Sequence, residues 1–142
     1  MRVNLEATNA SARHSDIGVV TVDDQAVFRQ VARDVIDATA GFSPLGEACS
    51  GEEAVTIVET LQPDLVLMDI RMPGMDGLEA ARRISDAHPE TTIVLITAQD
   101  PKDVPSSPRA AGAVALVRKQ DFGPKMLRAL WRKYGPGARQ PS

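Results

Sequence analysis

Three carboxylates, a hydroxyl and an ammonium each stand directly after a short apolar run. Asp23 and Asp24 follow "IGVVTV", Asp69 follows "LVLM", Thr97 follows "IVLI" and Lys119 follows "AVALVR". If those runs are neighbouring parallel strands, all five groups converge on one rim, outside the carboxyl ends where open α/β sheets bind ligands. Carboxylates brought together repel one another unless a cation neutralises them. Hard oxygen donors with no nearby Cys or His point to Mg²⁺, which keeps several waters and shares phosphate oxygens. A lysine and a metal beside a carboxylate suit a phosphoryl group. Asp69, alone at its strand end, is then the natural nucleophile for aspartyl-phosphate chemistry.

Taken singly, each residue has an ordinary explanation. Asp-Asp after a strand is often a helix N-cap, Met75-Asp76-Gly77 reads as a turn, Thr97 as a strand end and Lys119 as a solvated cation. Their joint occurrence at four strand ends is what favours chemistry.

The elements that would position them can be read from periodicity. Strands are expected at Ile17–Val22, Leu45–Cys49, Leu65–Met68, Ile93–Ile96 and Ala113–Arg118. The first intervening helix carries Val27, Phe28, Val31, Val35 and Ile36 at helical spacing and ends before Gly41. Ser50 with Glu53 forms a capping box that opens a second, and Leu78–Ala87 is the third. The last starts with Pro124 in its first turn and stops at Gly135-Pro136, with Leu127, Leu130, Trp131 and Tyr134 as its apolar stripe. Strands apolar on both faces belong in a parallel sheet covered by helices on both sides, hence a three-layer α/β domain. Cys49 is expected in a strand core, and His88 at a helix end on the surface.

At 142 residues the chain suits one domain, residues 16–135, between a disordered N-terminal tail (1–15) and a C-terminal tail (136–142). A net charge of −3 gives no basic footprint for nucleic acid. No apolar stretch approaches the roughly 20 residues of a membrane span. A single cysteine excludes an internal disulfide and suits a reducing cytoplasm.

The order "VDD…LVLMDIRMPGMDG…LITA…LVRK", spanning Ile17 to Tyr134, resembles the CheY-like receiver domain of two-component response regulators. The resemblance implies a flavodoxin-like (βα)5 fold with strand order 2-1-3-4-5. It assigns Asp69 as phosphoacceptor, with Mg²⁺ held by Asp24, Asp69 and the backbone carbonyl of Arg71, and by Asp23 through water. Lys119 would pair with the phosphoryl group, and Thr97 with Ala98 would make the switch contact. Arg71 and Gln99 occupy the two positions that border the attacking water, so they would set the phosphoryl lifetime. The donor would be a sensor histidine kinase, a phosphotransfer protein or a small acyl phosphate. Homodimerisation through the last helix and its neighbouring face is a further implication.

The sequence also departs from the family pattern. Leu116 replaces the usual aromatic switch residue, and Gln120 replaces the proline that usually follows the lysine. Pro101, Pro105 and Pro108 interrupt the segment where the family has its fourth helix, and an interior helical proline costs about 3 kcal/mol. A short or irregular element is therefore expected there, with Ser107 as N-cap, Pro108 at the first position and Gly112 ending it. The chain reads as an apparently stand-alone receiver. Competing readings are a degenerate receiver that binds partners without phosphorylation, and a Mg²⁺-dependent aspartyl-phosphate hydrolase. The hydrolase reading is disfavoured by Arg71, which stands where such enzymes commonly place a second acid.

Overall fold

The computed structural model describes residues 16–104 and 107–136. Five parallel strands lie in the order β2-β1-β3-β4-β5. They are β1 (Ile17–Val22), β2 (Phe42–Ala48), β3 (Leu65–Asp69), β4 (Thr92–Thr97) and β5 (Ala115–Arg118). Among the described residues, four helices cover them: α1 (Ala26–Asp37), α2 (Gly51–Leu61), α3 (Gly77–Ala87) and α4 (Pro124–Tyr134).

Alternation along the strands builds two cores, one on each face of the sheet. Val20, Val22, Val66, Met68, Ile93 and Leu95 meet Ala54 and Val58 of α2 and Ala80, Ala81 and Ile84 of α3. Val19, Leu65, Leu67, Val94, Ile96 and Val117 meet Ala32 and Ile36 of α1 and Leu127 and Leu130 of α4. Each large aliphatic side chain so enclosed contributes about 1.5–3 kcal/mol. The central strands are thereby fixed from both sides, and with them the groups at their ends.

The second strand begins earlier than the expected Leu45. Pro44 lies inside it and lacks an N–H, which β2 tolerates as an edge strand paired only with β1. Pairing passes from Pro44 to Gly46, so Leu45 is bulged out of register. Cys49 falls just beyond the strand and is exposed, not a core residue. The fifth strand is shorter than expected and starts at Ala115. On α1, Ala32 and Ile36 face the sheet, whereas Val27 (78% exposed) and Val31 (45%) point to solvent. Two apolar stripes compete on that helix, and the one containing small Ala32 wins because it lets α1 lie close to the strands.

Between β4 and β5 no α-helix forms in the described residues. Two 3-10 turns, Pro101–Asp103 and Arg109–Ala111, stand in its place. Ser107 Oγ accepts a bond from Arg109 N (3.2 Å), and Gly112, at φ +81°, ends the second turn. That turn counts Pro108 as its cap, one position later than the expected Ser107. Pro105 and the expected tails lie outside the described residues, apart from Pro136.

Candidate phosphoacceptor site

The rim at the carboxyl ends of the strands holds the acidic groups. Oxygens of Asp23, Asp24 and Asp69 all lie within 4.8 Å of one another. Lys119 Nζ reaches in from the end of β5, 2.6 Å from Asp23 Oδ2 and 3.7 Å from Asp69 Oδ1.

Asp23 is fully buried and fixed from several directions. Its N–H donates to the Ala48 carbonyl (3.1 Å), its Oδ1 accepts from Gln25 N (2.9 Å), and its carbonyl accepts from Arg29 Nη1 (2.7 Å). Asp24 beside it is exposed. The residue that caps α1 is Gln25, and no side chain caps that helix terminus. The paired aspartates are therefore not explained as helix caps.

Asp69 ends β3 with only 5% of its surface exposed. Burial pushes its carboxyl up to about 6, helped by the charges of Asp23 and then Asp24, while Lys119 and the Arg71 backbone N–H pull it down. Three carboxylates against one ammonium leave excess negative charge in a hard-oxygen pocket. That donor chemistry fits a divalent cation such as Mg²⁺.

The chain leaves Asp69 by a tightly drawn turn. Ile70 N donates to the Ile96 carbonyl (3.2 Å), and Gly77 N donates to the Ile70 carbonyl (2.8 Å). Glu52 of α2 accepts from Met75 N (3.3 Å), and Asp76 caps α3 by accepting from Glu79 N (2.9 Å). The loop that carries Arg71 is thus pinned at both sides.

Thr97, buried at the end of β4, accepts a bond on Oγ1 from Gln99 N (3.0 Å); Ala98 between them is exposed. Arg71 Nε donates to Gln99 Oε1 at 3.1 Å. The two loops after β3 and β4 are therefore joined to each other. They border a cleft of about 530 Å³ whose walls include Met72, Leu78 and Val104. Leu116 packs on the α2–α3 side of the sheet. The Lys119–Gln120 peptide is trans, and Lys119–Asp121 forms a 3-10 turn.

The structure therefore brings together Asp23, Asp24, Asp69 and Lys119, and separately joins Arg71 to Gln99. Sequence reasoning missed Phe28, whose ring lies 4.9 Å from Lys119 Nζ. Its one-turn spacing from Asp24 is the only signal that could have pointed to it.

Comparison with known proteins agrees with this geometry. A family model described as response regulator receiver domain matches residues 19–131. The chain is 44% identical over 110 residues to protein-glutamate methylesterase/protein-glutamine glutaminase 4 of Geobacter metallireducens, covering 75% of this chain and 32% of that protein. It is 34% identical over 114 residues to response regulator GacA of Pseudomonas viridiflava, covering 80% and 53%. The chain thus spans about a third to a half of the length of these relatives. Among solved structures, the signal receiver domain of NarL from Mycobacterium tuberculosis is 27% identical with a TM-score of 0.76, covering 83% of this chain and 95% of that one. The response regulator domain of Thermotoga maritima CheB is also 27% identical, with a TM-score of 0.74 and coverage of 82% and 95%. No described helix is long and apolar enough to cross a membrane. With its parallel sheet in the order 2-1-3-4-5 and its acidic rim, this chain belongs to the receiver domain family of two-component response regulators.

Proposed function

We propose that the protein is a phosphorylation-controlled signalling switch that accepts a phosphoryl group on Asp69. The observation that carries this reading is the convergence of Asp23, Asp24 and Asp69 with the ammonium of Lys119. An Asp69 oxygen attacks the donor phosphorus. The donor's bond to phosphorus breaks, and the leaving group departs with that electron pair. Asp69 must be ionised to attack, which its carboxyl achieves above about pH 6. Lys119, freed from Asp23, neutralises a phosphoryl oxygen, and the Thr97 hydroxyl turns toward the new group. Asp24, Asp69, the Arg71 carbonyl and, through water, Asp23 would hold Mg²⁺, which supplies charge neutralisation for the transferring group.

The donor is a phosphohistidine on a sensor kinase or phosphotransfer protein, or a small acyl phosphate. Exposed Val27 and Val31, one turn apart on the helix that follows Asp24, offer a protein donor an apolar foothold. Incubation with acetyl phosphate, read on a Phos-tag gel, tests the reading. One hydroxylamine-labile phosphoryl group that requires Mg²⁺ and is absent from Asp69→Ala is expected. Failure of the wild type to accept would favour the phosphorylation-independent binding module, with which the missing helix and Leu116 are compatible.

The phosphoryl group is also expected to be long-lived. Arg71 and Gln99, the two positions the family resemblance places beside the attacking water, are bonded to each other, and neither is an acid or base suited to orient water. Arg71→Asn removes the bridge and should shorten the lifetime several-fold in purified protein. A wild-type lifetime of only seconds, or an unchanged one in Arg71→Asn, would contradict this.

A further inference from the structure

Among the described residues, three groups approach the Lys119 ammonium, and one of them is uncharged. Its Nζ lies 2.6 Å from Asp23 Oδ2, 3.7 Å from Asp69 Oδ1 and 4.9 Å from the centre of the Phe28 ring. Its side chain is 16% exposed, so the ammonium is largely withdrawn from water, where attraction to an aromatic face is strongest. Phe28 is in turn braced by Phe122, with ring centres 6.2 Å apart and planes tilted by 53°. The N–H of Phe122 donates to the Lys119 carbonyl (3.2 Å), closing the 3-10 turn that follows β5. The two rings therefore tie α1 to the loop that presents the lysine.

We propose that Phe28, braced by Phe122, is a positioning residue that holds the Lys119 ammonium where it can meet a phosphoryl group on Asp69. The proposal rests on Asp69 as acceptor. Asp23 draws the ammonium more closely than Asp69 does, and that hold weakens when Asp23 shares its charge with a cation. The ring's attraction does not compete for a cation's ligands in the same way, so it keeps Lys119 in place while the carboxylates are otherwise engaged. A leucine at position 28 would fill most of the volume without offering a π face. A tyrosine would offer both.

Two measurements on the full chain test this. In metal-free protein, the side-chain Hε resonances of Lys119 should be shifted upfield by the ring in the wild type and in Phe28→Tyr. They should return toward ordinary lysine values in Phe28→Leu. Phosphorylation by acetyl phosphate with Mg²⁺ should slow about three- to tenfold in Phe28→Leu and stay near wild type in Phe28→Tyr, with urea midpoints verifying that both variants fold. An unshifted Lys119 resonance in the wild type overturns the proposal whether or not the variants fold. So does a wild-type rate in folded Phe28→Leu. If the wild type itself accepts no phosphoryl group, the acceptor reading and the positioning role fall together. If it does accept and Phe28→Leu is unaffected, only the positioning role falls.

Discussion

Asp69→Asn is expected to lose the phosphoryl label entirely and yet to melt at a higher temperature than the wild type at pH 7 without metal. The first effect follows from removing the nucleophile. The second follows from the raised carboxyl of Asp69, which burial and then the Asp23 charge push from 3.8 to about 6. In the folded state the proton is bound more tightly than in the unfolded chain, so stability falls as pH rises from about 4 through 6. Above that range the ionised carboxylate is a full burden, and below about 4 it is none. The shift corresponds to about 3 kcal/mol at face value, and solvent screening around this rim reduces it to about 1–2 kcal/mol. Asparagine keeps the shape and removes the charge. Thermal melts in EDTA should show the variant ahead by roughly 3–8 °C at pH 7, with the gap closing by pH 4. A gap independent of pH would refute the electrostatic cause. Saturating Mg²⁺ should narrow it, because the cation stabilises the wild type more.

Gly77→Ala should be the most damaging single-methyl change in the molecule. A Cβ at Gly77 would lie 2.0 Å from the carbonyl oxygen of Asp69 and 2.8 Å from both the Asp69 carbonyl carbon and Ile70 Cα. All three are backbone atoms of the acceptor turn, so no flexible side chain can yield. The turn must open or α3 must shift, and the Gly77 N–H bond to the Ile70 carbonyl would break with it. A loss of more than about 3 kcal/mol is expected, a large share of a small domain's stability. Urea denaturation would show it as a sharply lowered midpoint, and residual folded protein should accept phosphoryl groups slowly because the Asp69 backbone has moved. A wild-type midpoint would mean that the turn is far softer than its packing implies. Gly74 in the same loop makes the contrast. Its positive φ (+76°) disfavours other residues, but a Cβ there would meet only the flexible carboxylate end of Glu52.

The strand ends were legible because burial on both faces leaves an unbroken apolar run, and the polar residue that stops such a run marks the rim. That logic put Asp23, Asp69, Thr97 and Lys119 at strand ends, where the strands leave them, and the prolines between β4 and β5 announced that no α-helix forms among the described residues there. It failed where one residue satisfied two patterns. Val27 and Val31 share helical spacing with the core residues of α1, and only packing against the sheet decides which stripe turns inward. The second strand was expected only from Leu45, whereas it starts at Phe42 and runs through Pro44. Cys49 was misplaced by extending that strand one residue too far. The Arg71–Gln99 bond and the Phe28–Lys119 contact join segments far apart in the chain, and no local pattern encodes either.

The all-parallel sheet has a kinetic corollary. No strand in it pairs with a neighbour nearer than 21 residues along the chain: Val94 meets Ala115, Leu65 meets Thr92, and Val19 meets Leu65 across the whole of β2 and α2. Contacts of such long sequence separation require loop closure before they yield any stabilisation, which slows folding and keeps apolar strands exposed meanwhile. Asp69 receives its ammonium from a residue fifty positions later, so the complete rim cannot assemble on a nascent chain until β5 and the turn after it have emerged. Acquisition of the phosphoryl group would then report the last stage of refolding rather than collapse. In a stopped-flow experiment, competence to be phosphorylated should lag behind the recovery of helical signal.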